Sequence, residues 1–131
     1  MSAWPGWIRR GPRLGPLPAP PTYPRTLLGP KDGVYGGTVV GATGQPVRSQ
    51  KLGGRGGVRL ALATEGVVLE RRGTNDLLID GQAMSGAYAD GATLVLSWAH
   101  DGVGLETRVQ LADTDDMQAW IEAVTNMKGH V

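Results

Sequence analysis

The chain predicts a mainly β domain, a seven-stranded curved barrel or sandwich, closed at one end by a single C-terminal α-helix. Between residues 57 and 111, apolar side chains alternate with a period of two through short runs, the spacing of half-buried strands. Glu65-Gly66, Asp90-Gly91 and Asp101-Gly102 separate those runs, and glycine at such a junction tolerates the positive φ of a tight hairpin. The period then changes. Met117, Trp120, Ile121 and Val124 fall at i, i+3, i+4 and i+7, which is one stripe of a helix.

The first thirty residues stand apart from this pattern. Eight of the nine prolines lie there, and proline lacks a backbone N–H and clashes with the preceding helical turn. Residues 1–31 are therefore expected to be an extended or polyproline II tail, and residues 32–128 the domain. Charge divides at the same place: Arg9, Arg10, Arg13, Arg25 and Lys31 meet no acid, giving +5, whereas the eight later Lys and Arg face twelve Asp and Glu, giving −4. The tail is the part suited to an anionic membrane surface. Within it, Pro18-x-x-Pro21 suits an aromatic groove of a partner.

Trp4 and Trp7 followed by Arg9 and Arg10 are membrane-proximal in character, with indole rings at headgroup level and arginines on the cytoplasmic side. No run reaches the ~20 apolar residues of a membrane span. The expected location is cytoplasmic, against the inner face of the cell membrane. An apolar run upstream of Met1 in the native gene would make the protein single-pass; otherwise the chain is a soluble form or the two tryptophans are incidental.

In the domain, residues 34–42 hold three glycines and read as a twisted first strand, and residues 44–57 as a long polar loop. Residues 57–64 place Val58, Leu60, Leu62 and Thr64 on one face, and after Glu65-Gly66 residues 67–72 return as the antiparallel partner. The turn cluster Gly73-Thr74-Asn75-Asp76 leads to shorter strands over 77–80 and 83–89. Residues 92–99 alternate Leu94, Leu96 and Trp98 with Thr93, Val95 and Ser97, and residues 105–111 carry Leu105, Thr107, Val109 and Leu111 on one face. For the helix, Asp113 or Thr114 suits the N-cap, Asp115 and Asp116 suit the positive end of its dipole, and Lys128-Gly129 suits its end. Trp120 is the expected anchor of the fold.

Tyr35-Gly36-Gly37-Thr38, the Gly53-Gly54-Arg55-Gly56-Gly57-Val58 approach to the second strand, Gly66-Val67-Val68-Leu69-Glu70-Arg71, Leu94-Val95-Leu96-Ser97-Trp98 and the Trp120 helix carry a resemblance over about residues 34–127. With the strand order, they resemble the actinobacterial pleckstrin-homology-like (PH-like) family. That resemblance implies a cytoplasmic PH-like domain behind a Trp/Arg-containing, proline-rich linker and an N-terminal membrane anchor in relatives. The chain departs from the family's pattern at Ala89-Asp90-Gly91 and at Leu105-Glu106-Thr107-Arg108-Val109, where a threonine and an arginine are kept and the aromatic is not.

In PH domains that bind phosphoinositides, the loop between the first two strands holds the headgroup. Arg48, Lys51, Arg55 and Arg59 stand there with no acid between Gly33 and Thr64, an anion- or lipid-binding candidate set. Glycine pairs around Arg55 would let backbone N–H groups approach an anion. His100 and His130 have no second ligand at zinc spacing, and helix-start electrostatics accounts for Asp113, Asp115 and Asp116 better than calcium does. There is no cysteine, no P-loop ending after Gly57 and no nucleophile elbow. The expectation is a non-enzymatic binding or scaffold module without cofactor, acting through protein contacts at the membrane face. Anion or phospholipid-headgroup binding through the basic loop is the alternative. Nucleic acid is disfavoured by the −4 domain, and homodimerisation through an open sheet edge is a further expectation.

Overall fold

A computed structural model describes residues 14–22 and 24–128. Seven strands follow the expected runs: β1 Thr26–Val40, β2 Gly56–Ala63, β3 Gly66–Arg71, β4 Leu77–Asp80, β5 Met84–Asp90, β6 Thr93–His100 and β7 Val103–Leu111. Helix α1, Met117–Lys128, comes last. All neighbours are antiparallel in one sheet of order β4-β3-β2-β1-β7-β6-β5. The result is a mainly β structure capped by its C-terminal helix, as expected, with β4 and β5 at the two edges.

Period two decides which side chains enter the core. Val58, Leu60 and Leu62 of β2, Val67 and Leu69 of β3, Leu94, Leu96 and Trp98 of β6, and Leu105, Val109 and Leu111 of β7 form one buried cluster. Helix α1 closes it with Met117, Trp120 and Val124, and the Trp120 side chain is fully buried. The Asp113 carboxylate accepts the Asp115 N–H at 2.9 Å in the turn before the helix, and the Thr114 carbonyl accepts the Met117 N–H at 3.1 Å; the Asp113 bond thus closes the turn rather than capping an N–H of Met117–Lys128. Lys31 on β1 reaches across to α1, donating to the Asp113 carbonyl at 2.6 Å and pairing with the Asp116 carboxylate.

The turns show why glycine and Asp-Gly stand where they do. Asp101 and Gly102 both take positive φ, 52° and 76°, between the paired residues His100 and Val103, the backbone of a two-residue type I′ hairpin. Gly66 opens β3 with φ 151°, and a Cβ there would stand 2.0 Å from the Ile79 carbonyl oxygen. No other residue fits that approach of β3 to β4.

Three expectations change. Strand β1 begins at Thr26, so the boundary placed at 31/32 falls inside a strand whose first half pairs with the end of β2, Thr26 with Ala63 and Leu28 with Leu62. Residues 14–22 also lie against the domain. Leu14 is buried in the core, its N–H donates to Ser49 Oγ at 3.2 Å, and its carbonyl accepts from Gln50 Nε2 at 3.2 Å. Gly15 continues the contact, its N–H donating to the Asp101 carboxylate. Proline forbids helix but permits an extended strap that contributes one apolar anchor. Third, the segment between β1 and β2 is not a purely polar loop, because Val47 and Leu52 are fully buried around a 3₁₀ turn at Ser49–Lys51. Trp4, Trp7, Arg9, Arg10 and His130 lie outside the described residues.

Candidate functional site

A one-way chain of buried hydrogen bonds fixes the β1–β2 loop. The Trp98 indole N–H donates to Thr107 Oγ1 at 2.9 Å, Thr107 and Thr38 hydroxyls stand 2.8 Å apart, Thr38 and Tyr35 hydroxyls 2.7 Å apart, and the Tyr35 O–H donates to the Leu52 carbonyl at 2.7 Å. An indole can only donate and a carbonyl can only accept. The two intervening protons are thereby assigned: Thr107 donates to Thr38, and Thr38 to Tyr35. Every buried polar atom in the relay is satisfied, which is what allows it inside a core. Burial pushes the Tyr35 phenol above its ordinary pKa, against the opposing pull of its Thr38 hydrogen bond and of Arg71.

Arg71 holds the neighbouring carbonyl. Its Nη1 donates to the Lys51 carbonyl at 2.6 Å, its Nε to the Asn75 carbonyl at 3.1 Å, and its guanidinium carbon lies 5.2 Å from the centroid of the Tyr35 ring. Gln50 and Lys51 take left-handed φ values of 54° and 57°, conformations a non-glycine residue keeps only when its surroundings hold it there. The Arg71 and Tyr35 bonds to two successive carbonyls supply that hold.

These contacts shape a cleft of about 190 Å³ lined by Tyr35, Gly54, Arg55, Gly56, Gly57 and residues 71–74. Arg71 is buried, yet among the described residues no carboxylate lies within ion-pair distance of Arg55, Arg71 or Arg72. A buried guanidinium bonded only to carbonyls keeps its charge without a direct ion pair. Arg72 lies over Gly57, where a Cβ would stand 3.3 Å from its Cδ. Thr74 Oγ1 is buried there without a hydrogen-bond partner.

Of the four basic residues singled out in the sequence, the structure brings one, Arg55, to this cleft. Arg48 and Lys51 are exposed on the loop, and Lys51 contributes its carbonyl rather than its ammonium. Arg59 points from the outer face of β2, 3.7 Å from the Asp32 carboxylate and opposite Glu70 in register. The adjoining cleft that Arg59 lines is mixed in charge, with Asp32, Glu70 and Asp76 beside Arg59, Arg71 and Arg72. The residues the sequence reading missed are Arg71, Arg72 and Thr74. Period two carried the signal: Val67, Leu69 and Arg71 share a face of β3, which places a cation on the apolar side.

His100 turns toward the strap, its Nε2 3.1 Å from the Gly15 carbonyl. Among the described residues, no three His, Cys, Asp or Glu side chains gather where they could hold a metal, and no helix is long and apolar enough to cross a membrane.

A curled antiparallel sheet of seven strands, plugged by the tryptophan of a C-terminal helix and presenting its loops around a small basic cleft, defines a module of the pleckstrin-homology type. The chain belongs to the Bacterial PH domain-like family, whose model matches residues 14–125. That match takes in the strap from Leu14 as well as the sheet and helix, and the family is a non-catalytic one. No curated protein matches the chain.

Proposed function

We propose that this protein is a non-enzymatic recognition module working at the cytoplasmic face of the membrane, and that the cleft between the β1–β2 loop and the β3–β4 turn receives an anionic group such as the phosphate of a lipid headgroup. The observation that carries this reading is Arg71: a buried cation with no carboxylate within ion-pair distance among the described residues, flanked by Arg55, Arg72 and the unpartnered hydroxyl of Thr74. An incoming phosphate would supply the missing negative charge and accept from guanidinium groups whose planar donors suit it. The glycines of residues 53–57 keep the backbone low enough for that approach.

Sedimentation with vesicles containing one-third anionic phospholipid tests it. Arg55→Glu combined with Arg72→Glu alters exposed side chains and should abolish the bound fraction while leaving the thermal transition near that of the wild type. Binding unchanged by the double substitution refutes the reading. Titration with inorganic phosphate, read by amide shifts at Gly56, Gly57 and Thr74, separates a headgroup site from a bare phosphate site.

A second reading, action through protein contacts, is favoured by strand β5. It pairs with β6 alone among the strands, and although α1 packs against it, its last three residues, Tyr88 among them, are exposed, leaving a short edge where another strand, including that of a second copy, could add. Light scattering across a concentration series reports the self-paired form.

A further inference from the structure

A second concavity lies at the other end of β2 from the basic cleft. It is a groove of about 860 Å³ between α1 and the first half of β1, floored by Leu27, Leu28, Leu62, Ala119, Ala123 and Met127. Five residues of β2 separate Gly57 at one site from Leu62 at the other, roughly 17 Å at the rise of a strand. The groove therefore stands apart from the proposed anion site.

Two features show how the chain builds it. Consecutive residues of a regular strand point to opposite faces, yet Leu27 and Leu28 both line the groove. The register explains it: Thr26 pairs with Ala63 and Leu28 with Leu62, so Leu27 is an extra residue in a bulge, the device that re-aims a side chain. The bulge leaves Leu27 54% exposed, the most exposed large apolar side chain of the described residues. On the helix, Ala119, Ala123 and Met127 form a second stripe beside the buried one, and the two alanines keep the trough open. Gly81 completes the wall, since a Cβ there would stand 2.6 Å from Met127 Sδ.

The rim has one sign of charge. Glu65, Asp80 and Glu122 line it, all exposed, and among the described lining residues there is no Lys or Arg. None of these three carboxylates is ion-paired among the described residues. An apolar floor inside an acidic rim excludes an anionic membrane surface and complements a segment that is apolar with basic flanks.

We propose that the groove docks a segment of a partner protein bearing apolar anchors flanked by lysine or arginine. The module then has two sites of opposite preference at opposite ends of β2: a basic cleft for an anion, and an acid-rimmed trough for a basic, apolar peptide. Because the sites share no residue, failure of one leaves the other standing.

Selection of displayed random 12-residue peptides against the full chain supplies the probe. Enriched peptides, synthesised and titrated by fluorescence anisotropy, should combine apolar residues with Lys or Arg and should weaken as salt rises. Leu27→Asp and Glu122→Lys should each reduce their affinity about tenfold or more, as expected for an anchor and a rim charge at one site. Amide shifts should fall at Gly81, Gln82, Ala119 and Ala123 rather than at Gly56 and Thr74. Arg55→Glu with Arg72→Glu should leave peptide affinity unchanged. The proposal is overturned if enriched peptides are acidic or ignore both groove substitutions. It is equally overturned if the groove proves to be a self-interface, with a dimer in light scattering that Leu27→Asp dissociates.

Discussion

Replacing Thr107 with valine keeps the shape of the side chain and removes the hydroxyl at the middle of the buried relay. The Trp98 indole N–H then has no acceptor and the Thr38 oxygen no donor, in a region where Thr107 is fully buried and Trp98 is 3% exposed. An orphaned buried donor costs about 1–3 kcal/mol, so a loss of about 2 kcal/mol is expected, roughly 10 °C in Tm for a domain of this size. Equilibrium urea unfolding followed by tryptophan fluorescence measures it. Thr107→Ser separates polarity from packing, because it keeps the relay and sheds one methyl, at a cost of about 1 kcal/mol. Trp98→Phe combined with Thr107→Val should show coupling of about 1 kcal/mol, since the orphan has been removed. If the serine variant is less stable than the valine variant, or if the two positions prove additive, the hydrogen bonds are not what holds this end of the sheet.

Three further outcomes follow from the same structure. Trp120→Ala should cost about 3–5 kcal/mol in urea unfolding, the range for emptying a fully buried tryptophan site; a loss below about 1 kcal/mol would deny the helix its role as plug. Gly66→Ala should destabilise by more than about 2 kcal/mol, because both its φ of 151° and the 2.0 Å approach to Ile79 exclude a Cβ, and calorimetry showing an unchanged Tm would contradict that close passage. The hydrogen bond from the Lys31 ammonium, and then its charge, hold the Asp116 carboxyl below its ordinary pKa. A carboxylate lowered by folding contributes stability above its unfolded value near pH 4, and loses it as pH falls through the lower folded value. Lys31→Met should therefore lie below wild type by under about 1 kcal/mol at pH 6, Asp116 being 45% exposed, with the gap narrowing toward pH 2. A gap that stays constant with pH would show that only the packing of the lysine stem matters.

Membership of the Bacterial PH domain-like family gives these residues a common setting. The loop end of the sheet, with its relay and its buried arginine, is tied together by hydrogen bonds to hydroxyls and carbonyls rather than by ion pairs. The helix end is packed on one stripe of α1 and open on the next. The two proposed recognition surfaces lie at the ends of this module, and its sheet and core form the framework between them.

What the sequence determined by itself was everything that depends on neighbours along the chain. Alternation is a property of a few consecutive residues, so the strands from β2 to β7 could be read with small shifts at their ends. The stripe through Met117, Trp120 and Val124 likewise announced both the helix and its buried face. Strand β1 was legible only in its second half. Its first half carries Gly29, Pro30 and a bulge, which break the period, and it becomes a strand because the end of β2 supplies hydrogen-bond partners. Only the tertiary structure decided which charges remain uncompensated. Arg59 reads in the sequence as one of four loop cations, and the fold sets Asp32, from another strand, 3.7 Å from it; Arg71 reads as part of a strand, and the fold gives it one carbonyl from the β1–β2 loop, Lys51, and one from the β3–β4 turn, Asn75. Periodicity acts over a handful of residues, whereas the balance of charge at a point is set by whichever distant segments the folded sheet brings there.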